Sequence, residues 1–447
     1  MTTANTEDAA KQIAAKLETL LDSQTEIIPW EQVDYHWKQK IESAIASDTP
    51  PSYLIYPHTQ ETLAQIIQTA NEQRWAVLPC GSGSKLNWGG LVKNPQLVIS
   101  TARLNRIIEQ ATGDLTVTVE AGVKLADLQQ TLKQHNQFLP VDPAYPEAAT
   151  LGGIVATSDT GNWRQGYGGV KDLVLGLSIV RTDGKIAKAG GRVVKNVAGY
   201  DMMRLFSGSY STLGVICQLT FKVYPLLESS QTVVLTGDAN GIEKATATIR
   251  MSSLTPTAAD VLSSGMVHQL GIGKGIGLIL RFQGIPESIT QQSNQVKMIG
   301  QELGLIDSIY REDEENPLWK RLQELITISQ TESSVTAKIG IIPTQMISFI
   351  RQLDQLTDEQ GLGMINLGSG LGSLLLESEA VLSQLSKLRS LLETGQGFLT
   401  VLTAPKPIKQ QFEPWGYRGN ALDLMRNLKQ KFDPNNILSP GRFVGGL

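Results

Sequence analysis

Cysteine and histidine are scarce in this chain, two of the first and four of the second among 447 residues. Cys80 and Cys217 cannot staple a fold of this length, and such sparse usage fits a reducing compartment. Neither has a neighbour at metal-ligand spacing. His36, His58, His135 and His268 lie far apart and read as ordinary surface or core residues rather than ligands. An excess of one charge is also missing: the net charge of −4 gives no basic footprint for nucleic acid. No apolar run reaches the roughly 20 residues that span a bilayer, and 276–280 is only strand-length. The first residues lack an apolar stretch behind basic ones, so no secretory leader is expected. What is left is a cytoplasmic globular protein, 41% hydrophobic and 18% charged. Its length calls for two or three domains.

Glycine, by contrast, is abundant, with 42 residues, and it is concentrated. The densest stretch runs from Pro143 through Thr150-Leu151-Gly152-Gly153 and Thr157-Ser158 to Gly161, Tyr167 and Gly168. A shorter one, Pro79-Cys80-Gly81-Ser82-Gly83-Ser84-Lys85, follows an apolar run. Glycine permits positive φ and a close approach of the main chain, so successive N–H groups form a concave nest for an anion. Two such loops in one domain suit an extended ligand with a pyrophosphate, such as a dinucleotide. Alone, 79–85 fits a tight strand–helix connection equally well. It is not a Walker loop, because Lys85 lacks the required spacing and no Ser or Thr follows it. It is not a Rossmann fingerprint, because Leu86 stands where the third glycine belongs.

The rest of the chain supplies strands and helices around these loops. Residues 7–22 have helical periodicity (Ile13, Leu17, Leu20, Leu21), which suits packing on the body better than a membrane surface. A linker with paired prolines covers 45–52. Strands are expected at 54–57, 75–78, 97–100, 115–120, 175–182, 186–189 and 216–224. In 115–120, Thr116, Thr118 and Glu120 alternate with Val117 and Val119, as in a half-exposed sheet. Helices are expected at 59–73, capped by Thr59, and at 125–135 and 202–206. Beyond a boundary near 226–231, strands at 231–236, 259–262, 276–282, 334–342 and 371–376 mix with helices at 241–252, 286–304, 316–328, 343–358 and 378–391. No regular βαβ unit repeats, so this half is α+β with an antiparallel sheet. The acidic run 311–316 reads as a solvated face, and 420–431 as a final helix.

Taken in order, the motifs become specific. They are Pro-x-Gly-x-Gly-Ser at 79–84, Asp142-Pro143, Thr150-Leu-Gly-Gly153, Gly166-Tyr-Gly168, Asp172-x-Val-Leu-Gly176, Lys195-Asn-Val-Ala-Gly-Tyr-Asp201 and Gly208-x-x-x-Thr-Leu-Gly-Val-Ile216. Phe432-Asp-Pro434 and Pro440-Gly-Arg442 close the series, with Trp415-Gly416 ahead of them. This pattern resembles the vanillyl-alcohol oxidase/p-cresol methylhydroxylase-type FAD-binding family. Within it, the pattern is most similar to the FAD-binding subunits of the glycolate oxidase group. The resemblance covers residues 50–225 and 412–443 well and the middle loosely.

The resemblance implies an α+β fold: a PCMH-type FAD-binding domain of two α+β subdomains, and an α+β cap domain with an antiparallel sheet. The limits are a helical extension over 1–50, the FAD domain over 51–227, the cap over 228–411 and a tail over 412–447 that returns to the FAD domain. It implies that 79–85 and 150–153 hold the pyrophosphate, that 157–168 line the flavin and that Ile216 lies by the adenosine. Pro143, Gly214 and Arg442 belong to the same expected set of cofactor contacts. It also implies a 2-hydroxy-acid substrate such as glycolate or D-lactate, with catalytic flavoprotein and iron–sulfur partner subunits that tie the chain peripherally to a membrane. This chain has no cysteine cluster of its own for such a relay.

Two departures from the family pattern matter. Ser84-Lys85 stands where tethering members place a histidine, so non-covalent FAD is expected. The segment Asn366-Leu-Gly-Ser-Gly-Leu-Gly-Ser373 replaces a histidine-containing Gly-Asp-Gly-Asn-x-His motif, so no catalytic metal is expected, and no base can be named. Lys195, Tyr200 and Arg442 could orient a substrate carboxylate or equally contact flavin or backbone. Alternatives therefore stay open: a subunit that works with a partner, a self-sufficient FAD-dependent dehydrogenase, or a non-catalytic scaffold.

Overall fold

The computed structural model describes residues 13–17, 24–192, 200–327 and 333–447. Three main sheets carry the chain. The first contains β1 (Glu26–Pro29), β2 (Tyr53–Tyr56), β3 (Val77–Cys80) and β4 (Leu97–Ser100) in the order β1-β2-β4-β3. β2, β4 and β3 run parallel. The crossover from β2 to β3 is the helix Gln60–Gln73, which starts where Thr59 accepts the Thr62 N–H at 3.0 Å. Side chains alternate across these strands. Leu54, Leu78 and Val98 face one core, and Ile55, Val77, Leu97 and Ile99 face another. Ile13 and Leu17 are buried in the second core, beside Leu63, Ile66 and Ile67. The N-terminal apolar stripe thus packs on the body; the remainder of the 7–22 helix expected from sequence lies outside the described residues. Ile45 is buried and bridged to Val92, so the start of the expected linker belongs to the body.

The second sheet is antiparallel. It contains β5 (Ile107–Ala111), β6 (Thr116–Glu120), β8 (Val174–Val180), β9 (Ile186–Gly190) and β10 (Val215–Lys222) in the order β5-β6-β10-β8-β9. Two short strands, β7 (Gln137–Phe138) and β11 (Tyr224–Pro225), pair beside it. Strand β6 is not half-exposed as its alternation suggested; all five of its residues are buried. Its polar side chains are buried with partners: Thr118 shares a hydrogen bond with Thr220 at 3.0 Å, and Glu120 accepts from Arg106 at 2.7 Å. β5 had no sequence signal, since its residues are mostly half-buried and mixed in polarity.

The third sheet has eight antiparallel strands. They are β12 (Ser229–Gly237), β13 (Ala258–Leu262), β14 (Ile276–Gly284), β15 (Ile306–Arg311), β16 (Val335–Gly340), β17 (Leu362–Asn366), β18 (Leu371–Leu376) and β19 (Phe398–Thr403). Their order is β15-β12-β14-β13-β17-β18-β16-β19. Ala259, Val261, Ala337, Ile339, Ile365, Leu374 and Leu376 point into one large core with the helices. The period of two then turns Asp260, Thr336, Lys338, Met364, Asn366 and Ser373 to the opposite face, and that face roofs a cavity. Glu315, inside the acidic run expected to be solvated, is only 2% exposed. It pairs with Arg281 at 3.2 Å and accepts from Thr232 at 2.6 Å.

After the cap the chain returns through the helix Leu422–Phe432. Val77 donates to the Ile437 carbonyl at 2.7 Å, and Ser439 donates back to Val77 at 2.8 Å, so the tail extends the first sheet beside β3. The return is fixed by Lys429, buried and paired with Asp433 at 2.6 Å, whose carboxylate also accepts the N–H groups of Ile437 and Leu438 at 3.0 and 2.8 Å. Removing one partner of a buried pair strands the other. Asp433→Ala is expected to lower stability by about 3–5 kcal/mol, read as a drop in the urea midpoint. An unchanged midpoint would show that the tail is held by its apolar contacts alone.

Candidate functional site

The turn after β3 is shaped by what surrounds it. Gly83 has φ +74°, where a side chain is strained, and a Cβ there would stand 2.8 Å from the Trp37 ring. A Cβ on Gly81 would stand 2.0 Å from Thr150 Oγ1. The carbonyls beyond the turn are taken by two buried cations. Arg442 donates through Nη2 to Lys85 O (3.0 Å) and Leu86 O (2.9 Å), and through Nε to Trp88 O (3.3 Å). Lys409 Nζ donates to the carbonyls of Asn87, Gly89 (3.0 Å) and Leu402 (3.1 Å). Burial and the charge of Arg442 push Lys409 down to about 7, yet three acceptors occupy all three N–H bonds of an ammonium. The N–H groups of Ser82, Gly83, Ser84 and Lys85 donate to no described residue. These residues line a compartment together with Pro79, Cys80, Thr150, Gly152, Gly153, Thr157, Ile216 and Arg442. A row of free N–H groups backed by cations is a nest for an anion.

The second glycine segment is not a loop. Leu151–Thr157 is a helix capped by Thr150. Leu151 and Gly152 give their N–H groups to Val123 and Ala121 at 2.9 and 2.8 Å, and Gly153 donates weakly to Thr150 Oγ1 at 3.4 Å. Gly152 is small because Ala121 lies against it: a Cβ would sit 2.8 Å from that methyl group. Of the two segments read as phosphate loops, only the first keeps free donors. The second supplies a close-packed wall.

A larger compartment adjoins the first, sharing Thr157 and Tyr210. Its cavity volume is about 130 Å³. The cap-sheet face roofs it. Its far wall is Asp142–Arg164, pinned to the cap helix Glu315–Thr327 by Gln323 on Asp142 O (3.2 Å) and Pro143 O (2.5 Å), and by the Tyr145 hydroxyl on Thr327 O (3.1 Å). Ser158 and Gly161 line this compartment. So do four charges that sequence reasoning did not single out as site residues: Asp142, Arg164, Asp260 and Lys338. Burial pushes Asp142 up to about 7 against hydrogen bonds from the Trp163 and Asn162 N–H groups. Burial lowers both Arg164 and Lys338, and neither side chain forms a hydrogen bond or ion pair with a described residue. The signal for two of these was present: Asp260 and Lys338 are lone charges inside otherwise uncharged strands.

The other expected contacts lie elsewhere. The Lys85 side chain is buried and turned to Asp159 at 2.9 Å, so only its backbone faces the nest. Arg442 is committed to backbone carbonyls. Tyr167 packs against Phe138 and Tyr224 edge-to-face and against Trp163 at a tilt. Gly168 turns over Asp172, Leu151 is core, and Gly214 packs on Phe206. Pro143 presents its carbonyl to Gln323. Tyr200 is 93% exposed, and Lys195 lies outside the described residues. Asn366, Gly372 and Ser373, from the segment that replaces the histidine motif, line the larger compartment.

Comparison with known proteins agrees with this geometry. Residues 51–190 match a family described as an FAD binding domain, and residues 408–443 match the C-terminal domain of FAD linked oxidases. The chain is 24% identical to glycolate oxidase subunit GlcD of Bacillus subtilis (strain 168), over 88% of each chain. It is 37% identical to glycolate oxidase subunit GlcE of Escherichia coli (strain K12) over 169 residues, 38% of this chain and 47% of that one. Its fold superposes on p-cresol methylhydroxylase with a TM-score of 0.75 at 17% identity, over 99% of this chain and 97% of that one. FAD fits the site: its pyrophosphate suits the free N–H groups, and its length suits two joined compartments.

The contact between Gly81 and Thr150 can be tested. Gly81→Ala should cost about 1–3 kcal/mol by overpacking and lower the flavin-to-protein absorbance ratio. Adding Thr150→Gly should restore part of both, since a cap changed to glycine costs only a few tenths of a kcal/mol. No recovery in the double variant would place the clash elsewhere.

Proposed function

We propose that this chain is a member of the vanillyl-alcohol oxidase/p-cresol methylhydroxylase-type family of FAD-binding oxidoreductases and an FAD-binding subunit of glycolate oxidase/dehydrogenase type. Its substrate is a small 2-hydroxy acid, glycolate or D-lactate. The observation that carries the substrate class is the pair Arg164 and Lys338, two cations whose side chains make no ion pair with a described residue, one on the far wall and one on the cap face of the same compartment. A half-buried cation not tied up in an ion pair stays available to an incoming carboxylate. Bound FAD supplies the two-electron acceptor. The chain's own groups do the rest. The N–H groups of 82–85 bind the pyrophosphate, Arg442 and Lys409 hold that turn from behind, and the cap face and the 142–164 wall exclude water from the acid.

The domain limits 51–227, 228–411 and 412–447 agree with a third sheet that begins at Ser229 and a tail hydrogen-bonded to β3. Two relatives are named as subunits, which supports partner chains; we propose a catalytic flavoprotein and an iron–sulfur protein among them. Among the described residues no helix is long and apolar enough to cross a membrane. We place the protein in the cytoplasm, peripheral to a membrane through those partners. A second reading, catalysis by this chain alone, is favoured by the charges already gathered in the cavity.

Acid precipitation of the purified protein should release all its flavin into the supernatant, because Lys85 offers no imidazole for a tether. Yellow colour in the pellet would contradict this. Anaerobic glycolate or D-lactate should bleach the flavin band, either in the isolated chain or only after co-purification with a partner, which separates the two readings. A flavin bleached by neither acid in both preparations would overturn the substrate class.

A further inference from the structure

We infer that Asp260, on the cap-sheet face of the larger compartment, is the base that takes the hydroxyl proton of the 2-hydroxy acid; the inference rests on the function proposed above. Asp260 is 1% exposed, and its Oδ2 has no hydrogen-bond partner among the described residues. Its strand neighbours Ala258, Ala259, Val261 and Leu262 are apolar and buried. A carboxyl with an unsatisfied oxygen is costly to bury, and nothing in β13 requires one. The residue nevertheless lines the compartment that Arg164 and Lys338 share. In a 2-hydroxy acid the hydroxyl-bearing carbon is bonded to the carboxyl carbon. A carboxylate held by the two cations therefore carries its hydroxyl into the compartment that Asp260 lines. Asp142 is the less suitable base, because its Oδ1 already accepts the Trp163 N–H at 3.2 Å.

The step balances. The substrate O–H bond breaks and its proton goes to the Asp260 carboxylate. The C2–H bond breaks with its electron pair, as a hydride that FAD, when bound, would accept. A C=O bond forms, giving the 2-oxo acid, and Asp260 later returns its proton to solvent. The substrate loses two electrons and two hydrogens, one as hydride and one as proton.

The surroundings set the pH at which this base works. Facing it are Asp142 and Arg164 from the far wall and Asn366 from β17, with Asp159 and Lys338 on the same compartment. Burial pushes Asp260 well above the carboxylate range, and the negative charge of Asp142 adds to this; Asn366 and Arg164 oppose it. The base is therefore ionised only as pH rises, so flavin reduction should speed up with pH. Removing the Asp142 charge should move that rise to lower pH.

The test uses full-length protein with its flavin and the variants Asp260→Asn and Asp142→Asn. Anaerobic flavin reduction by glycolate and by D-lactate is followed against pH. In parallel, the infrared band of protonated carboxyl groups is titrated with and without oxalate, an unreactive dianion. Asp260→Asn should keep its FAD and the spectral shift caused by oxalate, lose reduction rate by about 100- to 10,000-fold, and lack one titrating carboxyl band. Asp142→Asn should still reduce, with its pH rise displaced downwards. An Asp260→Asn protein that reduces as fast as wild type, or keeps every band, overturns the inference. Should Asp260→Asn fail to fold, the Asp142→Asn profile decides, and an undisplaced rise overturns it. If the wild type reduces with neither acid, the proposed function fails separately. The infrared arm then decides for Asp260: a band that moves with oxalate and vanishes in Asp260→Asn supports it, and an insensitive band removes it.

Discussion

The structure depends on how the turn after β3 disposes of its own peptide dipoles. Two buried cations, Arg442 and Lys409, take the carbonyls of Lys85, Leu86, Asn87, Trp88 and Gly89. Buried carbonyls need such partners. Once they are held, the N–H groups of 82–85 are left without acceptors among the described residues. Both cations come from the last part of the chain, so the nest does not exist until the tail has returned to β3. That makes the Lys429–Asp433 pair a condition for binding: it fixes the tail that delivers Arg442.

The second constraint is the period of the cap sheet. One face is apolar and covered by helices; the other carries Asp260, Thr336, Lys338, Asn366 and Ser373. A shift of one residue in any of these strands would exchange the faces, burying charge in the core and turning leucine and valine to the substrate. The cap therefore provides chemistry and stability with the same strands. Register is the property that keeps them apart, and it is set by pairs such as Asp260 with Asn366 across β13 and β17.

Much of the architecture could be read in the sequence because it is written locally. Thr59 announces its helix by chemistry within four residues, and Leu97–Ser100 and Met202–Phe206 are apolar or helical runs with clear ends. The nest at 81–85 showed itself as glycine after an apolar strand. Non-local features were not legible. Gly152 reads as a phosphate contact, yet its smallness is set by Ala121 in another element. Thr118 and Glu120 look like solvent-facing residues until Thr220 and Arg106 arrive beside them. Glu315 sits in an acidic run whose outward character is real for its neighbours but false for Glu315 itself, which is buried against Arg281. Asp260 and Lys338 were visible as charges inside strands; that both look into one compartment follows only from pairing among strands distant in sequence.

The most direct test of the central claim, that the free N–H groups of 82–85 recognise a pyrophosphate, is equilibrium binding of FAD and of riboflavin to flavin-depleted protein. Quenching of flavin fluorescence gives both constants. Riboflavin has the same ring system and no phosphate. FAD should bind tighter by at least about a hundredfold, about 2.7 kcal/mol, and added inorganic pyrophosphate should compete with it. Equal affinity for the two, with no competition, would contradict the claim.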